Sequence, residues 1–181
     1  MPHALHHGTS HRRQWLRAVG VGLGVTVAAA MSGCGFALRQ SPKLAFRTLY
    51  INVADASLFG QLLKRNLKSI DGLEVITEAR EIERAEVILE LLLELPEKVI
   101  LSRTATGTVR EYVLRLRVRF RLRARNGDEL IPDTELLQER EISFNETAAL
   151  AKESEEQLLY RDMRADLVQQ LIRRLTAVRQ I

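Results

Sequence analysis

Apolar and polar residues alternate along two stretches of this chain and recur at helical spacing along two others. From Glu86 the period is two. Val87, Leu89, Leu91, Leu93 and Leu95 fall on one face of a strand, and Glu86, Ile88, Glu90, Leu92 and Glu94 fall on the other. Pro96 marks an edge or a bulge. Residues 102–111 form a turn-rich connection. A second alternating strand then directs Tyr112, Leu114, Leu116, Val118, Phe120, Leu122 and Ala124 inward. On its other face every second residue from Arg115 to Arg125 is arginine. Asn126-Gly127-Asp128 is a hairpin turn, and a third strand covers 130–144 with an interruption at Pro132.

Before these strands, residues 47–53 have strand composition. Asp55 or Ser57 can cap a helix carrying Phe59, Leu62, Leu63, Leu67 and Ile70, which stops at Asp71-Gly72. Residues 73–77 read as a strand or a strand end, and 80–85 are polar and ambiguous. After the strands, Leu159, Met163, Leu167, Val168, Leu171, Ile172, Leu175 and Val178 draw one apolar stripe along a helix between Ala148 and Val178. Arg173, Arg174 and Arg179 near its end suit the helix dipole. The expected fold is α+β, a mostly antiparallel four-stranded sheet with two helices on one face, in the order β-α-β-β-β-α.

The arginine row needs an explanation, because same-face neighbours on a strand lie about 6.8 Å apart and unshielded charges at that spacing repel. Acids on the flanking strands offer one. If paired residue numbers sum to 254, Arg121 meets Asp133, Arg119 meets Glu135 and Arg115 meets Glu139. A two-residue Asn-Gly loop gives 253 and turns those acids toward the core. The pattern therefore calls for a three-residue loop or a bulge near Pro132. Such a ladder contributes roughly 0.2–1 kcal/mol per pair. Arginines with spare donors could also grip phosphates. Nucleic acid fits poorly, since no aromatic interleaves on the arginine face for base stacking.

Composition changes the picture once the N-terminus is set apart. Arg12, Arg13 and Arg17 precede an uncharged, mostly apolar run from Ala18 to Met31, then Ser32, Gly33 and Cys34. The run is shorter than the ~20 residues a membrane-spanning helix needs. Met-Ser-Gly-Cys resembles a bacterial lipobox, with Met31 where Leu is usual, so Cys34 is the expected lipidation site. Gly35 after it, rather than Asp, resembles an outer-membrane sorting signal. Expected boundaries are a signal peptide over 1–33, a lipidated tether over 34–45 and a folded domain over 46–181. Loss of residues 1–33 lowers Lys plus Arg from 27 to 24 against 23 acids, a net charge of +1 instead of +4. Overall basicity then ceases to argue for nucleic acid. The same loss removes His3, His6, His7 and His11, which lowers the expectation of acid–base catalysis and of metal sites.

Three stretches together resemble the LPS-assembly lipoprotein family LptE. They are Cys34 to Arg39 (CGFALR), Glu111-Tyr112 ahead of the alternating run, and residues 149–175, ALAKESEEQLLYRDMRADLVQQLIRRL. The resemblance implies two helices against a four-stranded sheet and a non-catalytic lipoprotein without a cofactor beyond its covalent lipid. It also implies a place on the periplasmic side of the outer membrane, inside the lumen of an LptD-type β-barrel. There the family assists barrel assembly and binds LPS through basic side chains. Lys152 matches one such position, and Arg103 is a looser match because its loop is longer here. Arg110 and Arg117 are further candidates for LPS contact. Two rivals stand beside this reading: a purely structural barrel scaffold, and a periplasmic hydrolase.

Overall fold

The computed structural model describes residues 43–180; the expected signal peptide, Cys34 and the tether as far as residue 42 lie outside the described residues. The chain runs β1 (Thr48–Asn52), α1 (Leu58–Lys68), β2 (Glu74–Ile76), a 3₁₀ turn (Ala79–Arg84), β3 (Val87–Arg103), β4 (Val109–Ala124), β5 (Glu129–Ser143), a second 3₁₀ turn (Glu146–Ala148) and α2 (Ala149–Ala177). The sheet is five-stranded in the order β2-β1-β3-β4-β5. This corrects the expected four-stranded, mostly antiparallel sheet. Residues 74–76 form a true edge strand, and β1 pairs in parallel with both β2 and β3. The physical reason is the crossover through α1, which returns the chain to the end of the sheet where β1 began. The long strands β3, β4 and β5 remain an antiparallel meander.

Leu49, Tyr50 and Ile51 of β1 are all buried, as a strand covered on both faces requires. The main core joins Leu49 and Ile51 to the inward residues of β4 (Leu114 through Leu122), to Phe59, Leu63 and Leu67 of α1, and to Met163, Leu167, Leu171 and Leu175 of α2. Leu159 and Val178, at the two ends of the α2 stripe, are only partly buried against this core. A smaller cluster on the opposite face packs Tyr50, Ile76, Ala85 and Ile88 under Ile82 of the 3₁₀ turn. The polar stretch 80–85 thus covers the reverse face of the short strands. No helix among the described residues is long and apolar enough to cross a membrane.

A bulge in β3 changes what the alternating pattern means. Leu91 faces Phe120, but Leu93 faces Arg119, so the extra residue Leu92 flips every side chain beyond it. Leu93 and Leu95 move to the arginine side, and Glu94 turns toward the helices. There Glu94 accepts the Ser57 hydroxyl at 2.6 Å, the Phe59 amide at 3.1 Å and the Arg164 Nε at 3.0 Å. Ser57 Oγ in turn accepts the Gly60 amide at 2.8 Å. One carboxylate therefore caps α1 and ties it to α2, supplying negative charge at the positive end of the α1 dipole.

The β4–β5 hairpin closes through a three-residue turn, with the Ala124 amide bonded to the Asp128 carbonyl at 2.8 Å and Gly127 at φ 98°. Arg123 faces Glu129 near the turn; two slips beside Pro132 then bring residues 111–120 opposite 134–143, where paired numbers sum to 254.

Candidate functional site

The arginine face is largely neutralised by neighbouring strands. Arg115 Nε donates to Glu139 at 2.6 Å. Arg119 forks onto Asp133, one step along from its cross-strand neighbour Glu135. The slip beside Pro132 places Asp133 within its reach and leaves Arg121 without the acid that the sum-254 register assigned to it. Arg121 instead binds Glu90 on β3, which also lies 3.6 Å from Arg123 Nε. Arg125 donates to the Glu83 carbonyl at 3.0 Å. The hydrogen bond from Arg121 holds the Glu90 carboxyl below the usual glutamate range, and that from Arg119 does the same for Asp133. Arg117 is loosely held. Its Nη2 is 3.4 Å from Glu97 and its Nε 3.6 Å from Glu135. The Arg117 Nε and Glu97 Oε2 atoms are buried without a hydrogen bond.

A different arrangement occurs where β3, β4, β5 and the start of α2 meet, here called the tip. The β3–β4 turn closes through the Thr104 amide and Thr108 carbonyl, 2.8 Å apart. Arg103 sits at the end of β3 opposite Val109, and Arg110 follows one residue later on β4. The Arg110 carbonyl accepts the Phe144 amide, which brings the end of β5 alongside. Lys152, on the first turn of α2, reaches back to Ser143 Oγ at 3.1 Å and to Glu155 at 2.8 Å. Arg103, Arg110 and Lys152 therefore occupy one end of the domain. Arg117 does not join them: seven residues separate it from Arg110, about 24 Å along a strand.

Two of the three tip cations, Arg103 and Arg110, are less engaged than the row. Arg103 makes one bond, to the Gly107 carbonyl at 3.0 Å, and keeps its other donors. The exposed Arg110 guanidinium has no partner among the described residues. Apolar side chains are also exposed in this part of the domain. Val99, Ile100 and Leu101 are 41%, 41% and 48% exposed, and Leu150 is 81% exposed. Tyr112 is clasped beneath, its ring 4.4 Å from Lys98 Nζ and edge-on to Phe144 at 5.5 Å. Lys98 also binds Glu156 at 2.6 Å, and Tyr160 donates to the Glu97 carbonyl at 2.6 Å, so α2 is held against β3 short of the tip. Burial pushes the Tyr160 hydroxyl pKa up, with Glu156 adding to it.

Sequence reasoning missed the apolar half of this site. Its signal was present: Lys98 to Leu101 reads Lys-Val-Ile-Leu, three apolar residues in succession where alternation should have continued. Among the described residues no cluster of His, Cys, Asp and Glu is able to hold a metal. Free cations beside exposed apolar side chains suit an anionic amphiphile, which needs both.

Residues 46–175 match the family model of LptE, lipopolysaccharide-assembly. The chain belongs to the LptE family. An uncharacterized lipoprotein B from Nitrosomonas europaea, solved in solution, is 35% identical, with 79% of this chain and 91% of that one covered and a TM-score of 0.67. The rare lipoprotein B from Shewanella oneidensis (21% identity, 72% and 94% covered, TM-score 0.60) and a minor lipoprotein from Acinetobacter baumannii (20%, 75% and 94%, 0.59) share the fold. No curated protein matches the chain. Membership makes the protein a non-enzymatic envelope lipoprotein of lipopolysaccharide assembly with no known cofactor, and the hydrolase alternative falls.

Proposed function

We propose that this LptE-family protein is an outer-membrane lipoprotein that seats in an LptD-type β-barrel and receives LPS at its tip. Removal of residues 1–33 leaves Cys34 acylated, 34–45 as a tether and 46–181 as the folded domain on the periplasmic side. Arg103, Arg110 and Lys152 meet the LPS phosphates, and the exposed apolar residues beside them meet the acyl chains. Arg117, held at ion-pair distance without aligned hydrogen bonds, is able to exchange partners, at a second position along the sheet. The charged sheet face suits a hydrated barrel lumen, since its own acids already balance most of its arginines.

The observation that carries this reading is the convergence of three cations, two of them under-engaged, with bare apolar side chains at one end of the domain. Titration of the purified protein with LPS tests it. The double substitution Arg103→Glu/Lys152→Glu should weaken binding at least tenfold while the fold, followed by circular dichroism, is retained. Equal binding by a folded variant would favour the scaffold reading, in which the protein supports the barrel without touching the lipid itself. Co-purification with a large outer-membrane barrel tests the partner separately.

A further inference from the structure

A second set of cations lies at the opposite end of the domain, and none of them forms a salt bridge among the described residues. The helices α1 and α2 both run toward this end. Ser57 and Arg164 meet at Glu94, Asn66 meets Gln169 at 3.2 Å, and α1 ends beside the start of β2, whose Glu74 amide bonds the Arg47 carbonyl at 2.7 Å. Their last turns expose Arg65 and Lys68 on α1, and Arg173, Arg174 and Arg179 on and just after α2. None of the five has a side-chain partner among the described residues. Residues 58–70 and 167–180 contain no Asp or Glu, whereas the first part of α2 carries Glu153, Glu155, Glu156, Asp162 and Asp166. Three acids elsewhere at this end are occupied on the sheet side. Glu74 and Glu81 bind Arg84, and Glu86 accepts the Arg47 amide.

Complementing the helix dipoles accounts for part of this charge. A helix C-terminus carries about half a negative charge, so two of them leave most of five cations uncompensated. The arginine row shows what this chain does with cations that face its own strands: it supplies acids. Here, among the described residues, it supplies only Asp71 just past α1, and that carboxylate is itself engaged.

The chain enters the described domain at this same end, at the exposed Lys43 ahead of the buried Phe46 and of Arg47. Cys34 is nine residues earlier, and nine residues reach at most ~32 Å when extended. A domain tethered that closely cannot move far from the surface that holds its first residue.

We infer that the paired C-terminal ends of α1 and α2 form a basic collar that docks on an anionic phospholipid surface and turns the domain so that the tip points away from it. The inference rests on the acyl anchor proposed above. The occupant is the headgroup layer of a bilayer rather than a soluble phosphate, because the cations spread across the ends of two helices. Attraction of this kind is additive over basic residues near an anionic membrane and falls off within a Debye length.

The test uses the full chain as the cell processes it, with the acyl group on Cys34 checked by mass. A fluorophore is placed at Ser69→Cys for the collar or at Thr106→Cys for the tip. The protein is joined to phosphatidylcholine vesicles with or without phosphatidylglycerol, each holding a headgroup-labelled acceptor. Energy transfer from the collar probe should rise at least twofold with phosphatidylglycerol and fall back in high salt. The tip probe should not follow it. The folded variant Lys68→Gln/Arg173→Gln/Arg174→Gln should lose the rise while still floating with neutral vesicles. A collar probe that answers neutral and anionic vesicles alike, or a variant that behaves as wild type, overturns the collar and leaves the anchor standing. If mass finds Cys34 bare, the anchor reading fails by itself. The unacylated full chain is then floated on the same vesicles. Retention only on anionic ones, dropping about fivefold per cation removed, supports the collar, and no retention overturns it.

Discussion

At the end of the sheet where β1 and β2 join β3, both faces are covered. Val87 and Leu89 exclude solvent entirely, and Leu122 opposite them is equally buried. At the tip the same strands carry Val99, Ile100 and Leu101 in the open, because β1 stops pairing at Glu90 and only the first turns of α2 extend that far. The difference separates two tasks within one sheet. The covered half supplies cooperative stability through burial, which scales with the apolar area removed from water. The bare half retains unsatisfied surface that a ligand or partner can cover. Glu94 stands at the boundary, just past the bulge where β3 stops sending leucines into the core.

Truncation gives the largest expected effect and the most direct way to break this division. Phe120→Ala should cost about 3–5 kcal/mol in urea unfolding, since the ring is wholly buried between strands and helices. Leu101→Ala should stay within about 0.5 kcal/mol. Similar losses at both sites would mean that the tip is part of the cooperative core.

At the boundary, Glu94→Ala should cost about 2–3 kcal/mol, because it leaves Arg164, the Ser57 hydroxyl and the Phe59 amide short of a partner at once. Glu94→Gln, which can still accept one of those bonds, should lose less. A loss equal to that of an exposed acid would remove Glu94 from the boundary.

Gly60→Ala sharpens the covered side. Alanine ordinarily favours a helix by about 1 kcal/mol. Here an added Cβ would stand 2.9 Å from both Ser57 Oγ and Val53 Cγ2, so the substitution should destabilise by about 1 kcal/mol instead. A gain in stability would show that α1 is free to shift away from β1.

Acid titration probes the arginine face. Arg121 holds the Glu90 carboxyl below its usual range, so this contribution to stability is complete above the ordinary glutamate pKa. It is lost as pH falls through the lowered value. Glu90→Gln should therefore flatten the acid limb of the stability profile. An unchanged limb would mean that the bond does not persist in solution. Smallest of all, a double-mutant cycle on Arg115 and Glu139 should return about 0.2–1 kcal/mol.

Much of this fold is legible in the residue order. The stripe on α2, the cap at Ser57, the Asn-Gly turn and the inward residues of β4 all follow from period and turn chemistry. The same pattern reading called for a three-residue loop or a bulge near Pro132, because a two-residue loop in unbroken register turns the acids of β5 toward the core; the structure has both. Two features were not legible. The bulge at Leu92 falls within Leu91-Leu92-Leu93, where three identical residues leave no mark of which one is extra. The gathering of Arg103, Arg110 and Lys152 depends on where a long hairpin and a helix end in space, and residues far apart along the chain carry no local trace of that.

Local periodicity and turn residues by themselves determined that this chain builds long amphipathic strands backed by helices, with an arginine-rich face. Only the tertiary structure decided which cations are spent on neighbouring acids and which remain available. The reason is geometric. A strand's side chains alternate with a period of two, so one inserted residue exchanges its faces. Charge pairing across strands thus turns on single-residue slips that a regular pattern does not record.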